Sequence, residues 1–244
     1  MSIIPPGLSR LLQFYLSGPL PCPYLPGQVE RKLFTRLTDD VTTNVEINGM
    51  LTRAGFRRSH DIAYRPACSS CNACVPVRVP VRLFEPSRNL KRIAVRNRNL
   101  RVEIANAAPS DELFALFQNY QIQRHADSDM AQMNEQDFAL MLQEGEADTR
   151  LYMLRDEVDV LLGCVIADPV NDGLSAVYSF YSPDQPKRSL GTQLILSLID
   201  EMRRERLPYV YLGYWIEASR KMSYKARFQP LQALGPKGWD WLGP

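Results

Sequence analysis

The fold is decided by Leu174-Ser175-Ala176-Val177-Tyr178-Ser179-Phe180-Tyr181, then Ser189-Leu190-Gly191 opening a run to Arg206, then Tyr209-Val210-Tyr211-Leu212-Gly213-Tyr214-Trp215. Aromatic and β-branched residues crowd the first and third segments, which suits strands. The run between them is amphipathic at helical spacing.

Working outward, Asn171-Asp172-Gly173 supplies a turn, so Leu174–Tyr181 pairs back onto a strand at Val158–Ala167, with another at Arg150–Arg155. Upstream, Ser110 starts a helix whose Leu113, Phe114, Phe117 and Tyr120 share a face, and Asn134 caps another helix to Gln143. A short strand is expected at Arg101–Asn106. Downstream, a short helix near Ser219–Arg227 precedes a last strand near Leu231–Leu234. Helix, helix, hairpin strands, helix, strand, helix, strand is the order of an N-acetyltransferase-like (GNAT-like) α/β fold, expected for residues 100–244. Such an analogy gives fold and not function.

Residues 1–99 read as a smaller α+β region. Prolines 5, 6, 19, 21, 23 and 26 make its first 35 residues mostly loop and extended chain. Thr38, Asp39 and Asp40 start a helix that runs to Ala54 and stops at Gly55. Gly55–Pro66 reads as extended. Val75, Val77, Val79 and Val81 alternate in a strand over Cys74–Phe84, and Pro76 and Pro80 place it at an edge or a bulge. Ser87 caps a basic helix, Arg88–Asn97.

The chain has 244 residues, 45% of them hydrophobic, and a net charge of +2. That allows a sizeable core, and any affinity for nucleic acid must come from local clustering. No apolar run is long enough to span a membrane, and the first 20 residues lack the pattern of a signal peptide, so a cytoplasmic location is expected. Five cysteines in that compartment do not suggest a disulfide framework.

Cys68, Cys71 and Cys74 stand at two successive C-x-x-C spacings. With Cys22 as fourth ligand they suit zinc or an iron–sulfur cluster; the alternative is that they only pack. Cys164 lies in an apolar strand and reads as core. From Arg82 to Arg101 the local charge is +6, leaving −4 for the rest of the chain. Arg88, Arg92 and Arg96 share one helix face, which can track a phosphate backbone or simply be solvated.

Several motifs, in order, resemble the arginyl/leucyl-tRNA–protein transferase family. They are Gly55-Phe56-Arg57-Arg58-Ser59, Tyr64-Arg65-Pro66 with the cysteines, and Tyr120 with Arg124-His125 and Asp127. Ser175–Tyr181, Ser189-Leu190-Gly191, Tyr211–Ile216 and Lys221-Met222-Ser223-Tyr224-Lys225 follow. The resemblance covers nearly the whole chain and is greatest to the short bacterial branch. It implies transfer of leucine from Leu-tRNA to proteins beginning with Asp or Glu, marking them for proteolysis. Arginine is the alternative donor residue. Eukaryotic members carry a C-x-x-C pair where this chain has Cys22-Pro23-Tyr24-Leu25, so a cluster of theirs does not carry over directly.

Such a reaction starts from an activated ester and requires no cofactor. The acceptor amine has a reference pKa of about 7.7–8.0 and needs only a weak base. Donors must face the oxyanion; Tyr178, Tyr181, Tyr214 and Tyr224 are the candidate catalytic groups, each of which also suits a core. Arg57, Arg58, Arg65, Arg78, Lys221 and Lys225 are candidates for the acceptor's carboxylate, with Arg124 and His125 also expected at the substrate site. Two rivals remain. A CoA-dependent N-acetyltransferase needs a glycine-rich phosphate turn, and Lys187-Arg188-Ser189-Leu190-Gly191-Thr192 offers one glycine. A metal-stabilised RNA-binding module would leave the C-terminal half unused.

Overall fold

The computed structural model describes residues 12–37, 41–143 and 148–243. In chain order its strands and helices are β1 (Phe14–Leu16), β2 (Leu20–Pro21), β3 (Val29–Glu30), β4 (Lys32–Arg36), α1 (Val41–Arg53), β5 (Arg57–Ser59), β6 (Ile62–Pro66) and β7 (Val75–Pro80). Next come α2 (Arg88–Arg96), β8 (Arg101–Asn106), α3 (Asp111–Arg124), α4 (Glu135–Gln143), β9 (Arg150–Arg155), β10 (Leu161–Val170) and β11 (Gly173–Tyr181). The chain closes with α5 (Leu190–Arg204), β12 (Tyr209–Trp215), β13 (Gln232–Gly235) and β14 (Gly238–Trp241).

The fold is mixed α/β. An eight-stranded sheet has the order β14-β13-β7-β12-β11-β10-β9-β8, and only β11 and β12 run parallel. Alternation along β9 feeds two cores, because successive side chains point to opposite faces. Tyr152 and Leu154 join α2 and α5 on one face; Leu151 and Met153 join α3 and α4 on the other. Cys164 is fully buried in the second core, as expected of it. A four-stranded sheet, β1-β4-β6-β5, packs with α1 around Ile47, Leu51, Phe56 and Ala63.

Some expectations need correction. The proline-rich start is extended as read and carries β1 to β4; β2 pairs locally with β3, while β1 pairs with β4 and β4 with β6. Gly55–Pro66 folds back on itself as the β5–β6 hairpin, with His60 at positive φ in the turn. Of the two readings of β7, edge or bulge, the edge is wrong, since β7 lies between β12 and β13, and the bulge is met in its ladder with β12, opposite Val77 and Arg78. Its prolines are tolerated because β13 pairs only with Val77 and Arg78, leaving Pro76 and Pro80 outside that ladder. The helix foreseen at Ser219–Arg227 is a 3₁₀ turn, Ser223–Arg227. β14 was not foreseen. The cap expected at Thr38–Asp40 lies outside the described residues.

Local chemistry explains the element ends. Ser87 Oγ accepts from Leu90 N and Ser110 Oγ from Leu113 N, as helix caps do. After α1, Gly55 takes a φ of +84°, and Phe56 N returns to Leu51 O at 2.9 Å.

The parallel pair sets the site. β11 and β12 stay in register only from Gly173 to Ser175 against Tyr209 to Tyr211. Beyond that, both strands bulge. Val177 has no partner on β10, and Leu212 has none on β7. A bulge bends its strand and raises the local twist, so the two strands part and leave a gap at the sheet's centre.

Candidate active site

The guanidinium of Arg57, carried by β5, enters this gap. Its Nη2 donates to the Val177 carbonyl at 2.6 Å and lies 3.5 Å from that of Ala176. Val177 is the bulged residue, so its carbonyl is open to a side-chain donor. Gly213, with φ +71°, passes directly beneath: a Cβ there would stand 2.5 Å from Arg57 Nε. The glycine is needed both for its backbone conformation and for the close approach.

Lys225 lies beside Arg57. Its side chain is 4% exposed, and its Nζ donates to the Tyr214 carbonyl at 2.5 Å. Burial holds its pKa well below the usual lysine range, and the charge of Arg57 adds to the effect. Among the described residues, neither Arg57 nor Lys225 is paired with a carboxylate.

Tyrosines line the surroundings. The Tyr120 and Tyr181 rings meet at 4.9 Å. Gly191 gives Tyr181 its place on α5, since a Cβ there would come within 2.7 Å of Tyr181 Cε1. That glycine is used for packing. Tyr224 is close enough to feel Arg57 and Tyr181, and burial raises its pKa. Tyr178 Oη accepts from Gln121 Nε2 at 2.7 Å. Among the described residues, the hydroxyls of Tyr181 and Tyr224 form no hydrogen bond. Tyr120 Oη lies 3.4 Å from His125 Nε2. Burial lowers the His125 pKa, with Lys221 and Arg124 adding to the shift.

Other expected residues have different work. Tyr214 is 1% exposed, and its hydroxyl is held by the carbonyls of Gly55 at 2.9 Å and Tyr64 at 3.0 Å. It anchors the end of α1 to β12 and has no proton free for relay. Arg58 is enclosed with Asp168 as a two-point ion pair, Nε to Oδ2 at 2.6 Å and Nη2 to Oδ1 at 2.8 Å. Thr149 and Asn48 also donate to that carboxylate. Arg78 donates to Gln232 and Tyr211 and stacks on the rings of Tyr209 and Trp239, at 3.6 and 4.3 Å. Arg58 and Arg78 are therefore occupied within the fold. Arg65 lies over the Phe56 ring. Arg124 and Lys221 are exposed beside His125.

Cys22, Cys68, Cys71 and Cys74 line one cavity of about 620 Å³ with the β13–β14 hairpin. Burial pushes the Cys74 thiol up to about 12, and the nearness of Cys22, Cys68 and Cys71 contributes. The donor types suit a soft metal. Among the described residues, no three His, Cys, Asp or Glu side chains stand close enough together to hold one ion. No step of the chemistry is routed through a metal.

Arg88, Arg92 and Arg96 are all exposed on α2. Arg96 donates to the Lys187 carbonyl, and Asn97 Nδ2 to that of Arg188 at 2.9 Å. The basic helix is thereby joined to the turn that leads into α5.

Models of the arginine-tRNA-protein transferase family match in two parts: the N terminus over residues 20–92 and the C terminus over residues 112–235. The chain belongs to this family. A relative in Afipia carboxidovorans, named aspartate/glutamate leucyltransferase, is 51% identical over 93% of this chain and 92% of its own. One of the same name in Parvibaculum lavamentivorans is 48% identical over 95% of each chain. Among solved structures, that of L-PGS from Bacillus licheniformis overlaps at a TM-score of 0.47 with 15% identity, covering 59% of this chain and 47% of that one. That likeness is too low to carry an argument. For this family member, then, the candidate centre is the gap between β11 and β12.

Gln121 is absent from the residues expected by sequence. A signal for it exists: it follows Phe117 by four residues and Leu113 by eight, a polar side chain on the buried stripe of α3.

Proposed function

We propose that the protein takes leucine from Leu-tRNA and joins it to the N-terminal amine of polypeptides beginning with Asp or Glu, marking them for proteolysis. The names of its relatives support the donor and the acceptor. One structural observation carries the reading: the guanidinium of Arg57, beside the buried amine of Lys225, stands in the gap with no carboxylate paired to it among the described residues. A partly buried guanidinium with no anion beside it is poorly solvated, and an incoming carboxylate offsets that cost. Arg57 is the better receptor, because its guanidinium is fixed at one edge and can pair through the others.

The acceptor nitrogen attacks the ester carbon, the C–N bond forms, and the bond to the ribose oxygen breaks. The amine loses a proton and the ribose oxygen gains one. Tyr178, Tyr181 and Tyr224 supply hydroxyls around the gap for the oxyanion and the leaving oxygen. The acetyltransferase-like reading of the fold agrees with a reaction at parted strands. A CoA donor is disfavoured, because Arg57 already occupies the β11 carbonyl edge and Gly191 is covered by Tyr181. Arg88, Arg92 and Arg96, with Lys187 and Arg188, form the surface we assign to tRNA phosphates.

The test uses the full chain, radiolabelled Leu-tRNA or Arg-tRNA, and peptides beginning with Asp, Glu or Ala. Label is expected from Leu-tRNA on the two acidic peptides. Equal labelling of the Ala peptide, or transfer from acetyl-CoA, would overturn the reading. Replacing the three α2 arginines by alanine should flatten the salt dependence of tRNA binding by about 3 in log–log slope.

A further inference from the structure

Gln121 has an unusual position. It is 1% exposed, on the buried stripe of α3, where an apolar residue is the ordinary occupant. Its Nε2 donates to Tyr178 Oη at 2.7 Å, while its Oε1 is buried without a partner among the described residues. An unmatched buried acceptor costs about 1–3 kcal/mol. Leucine or methionine would fill the space without that cost, so the bond to Tyr178 is what the amide supplies.

The direction of that bond matters. A phenol has one proton to give. With Gln121 donating into its oxygen, Tyr178 cannot give that proton back and must offer it elsewhere. Tyr178 is the residue after Val177, whose carbonyl holds Arg57, so its backbone adjoins the gap. The same bond counters part of the upward pull that burial exerts on the Tyr178 pKa.

We infer that Gln121 is a positioning residue of the transfer reaction: it fixes the Tyr178 hydroxyl as a donor toward the oxygen that gains charge as the ester is attacked. This rests on the proposed leucyl transfer. If the unaltered protein transfers no leucine, that proposal fails; if it does and Gln121 proves indifferent, only the inference fails.

Gln121→Glu is the decisive variant, because it keeps the shape and replaces the donor with an acceptor for the Tyr178 proton. With Leu-tRNA and an Asp peptide, kcat should fall about 100-fold, with both KM values within about twofold by the same reasoning. The deficit should shrink as pH falls through the glutamate's pKa, since a protonated carboxyl can donate again. In a Tyr178→Phe background, Gln121→Glu should cause no further loss. Thermal melting monitors folding. If Gln121→Glu does not fold, Gln121→Met takes its place, with a fall in kcat expected that also vanishes in the Phe background. An unchanged kcat, or an equal loss with and without the Tyr178 hydroxyl, would overturn the inference.

Discussion

Replacing Gly213 with alanine tests whether Arg57 must lie where it does. The added methyl would stand 2.5 Å from Arg57 Nε, 2.6 Å from Cζ and 2.7 Å from Cδ. Carbon contacts want about 3.5–4 Å, so the guanidinium must move by about 1 Å. That breaks its 2.6 Å bond to the Val177 carbonyl. The bond involves a charged donor and is worth about 1.5–3 kcal/mol. Alanine at a φ of +71° adds about 1–2 kcal/mol. Part of the first term returns when the guanidinium meets water, so the net loss is about 2–3 kcal/mol. For a chain of this size, that lowers Tm by about 4–12 °C. The larger effect is on specificity. The ratio of kcat/KM for an Asp peptide over an Ala peptide should fall at least about tenfold, the equivalent of 1.4 kcal/mol. Arg57→Met should do the same, and the double variant should add little. The assay is steady-state transfer from Leu-tRNA to each peptide, with melting followed in parallel. A Gly213→Ala protein that keeps the Asp preference would refute the role given to Arg57.

Three further outcomes are expected. Asp168→Asn removes the carboxylate charge that faces the enclosed Arg58, so urea unfolding should show a loss of about 3–5 kcal/mol with peptide selectivity unchanged. Lys225→Met removes a buried amine whose folded pKa is depressed. Between that value and the ordinary lysine value the unfolded chain binds the extra proton, so this group's contribution to stability rises with pH. The variant's stability relative to the parent should therefore be greatest at low pH in this window and decline as pH approaches the unfolded value. A difference that is flat with pH would count against the depressed amine. Finally, Cys164 is fully buried and its thiol is raised by burial, so a thiol reagent should reach it only after denaturation, whereas Cys22, Cys68, Cys71 and Cys74 are partly exposed and should react in the native protein. Slow native labelling of those four, relieved by a chelator and accompanied by metal in elemental analysis, would instead show them closed around an ion.

The elements from α3 to β12 were legible because they rest on local periodicity and caps. Ser110, the turn at Asn171 and Asp172, and the amphipathic run of α5 stand where their residues require. β7 was legible as a strand, but not as an interior one, because its partners β12 and β13 lie more than a hundred residues away. The same distance hid the division of labour among the arginines. Arg57 and Arg58 are neighbours in sequence on a strand, so they point to opposite faces. One enters the gap and the other meets Asp168, which no local pattern reveals. Tyr214 looked available for chemistry, but its hydroxyl meets carbonyls from two remote segments. The family resemblance supplied the reaction; it did not say which cation remained unpaired.

The path of β7 bears on how the molecule can be divided. A fragment beginning at residue 100 would keep the long helix and most of the broad layer, yet would lack the rung that joins β12 to the closing hairpin. Its β12 would show a raw edge, open to neighbouring molecules. The early part would in turn lose its footing, since Tyr214 clasps the turn at Gly55. Splitting the chain between its two halves thus yields two incomplete bodies.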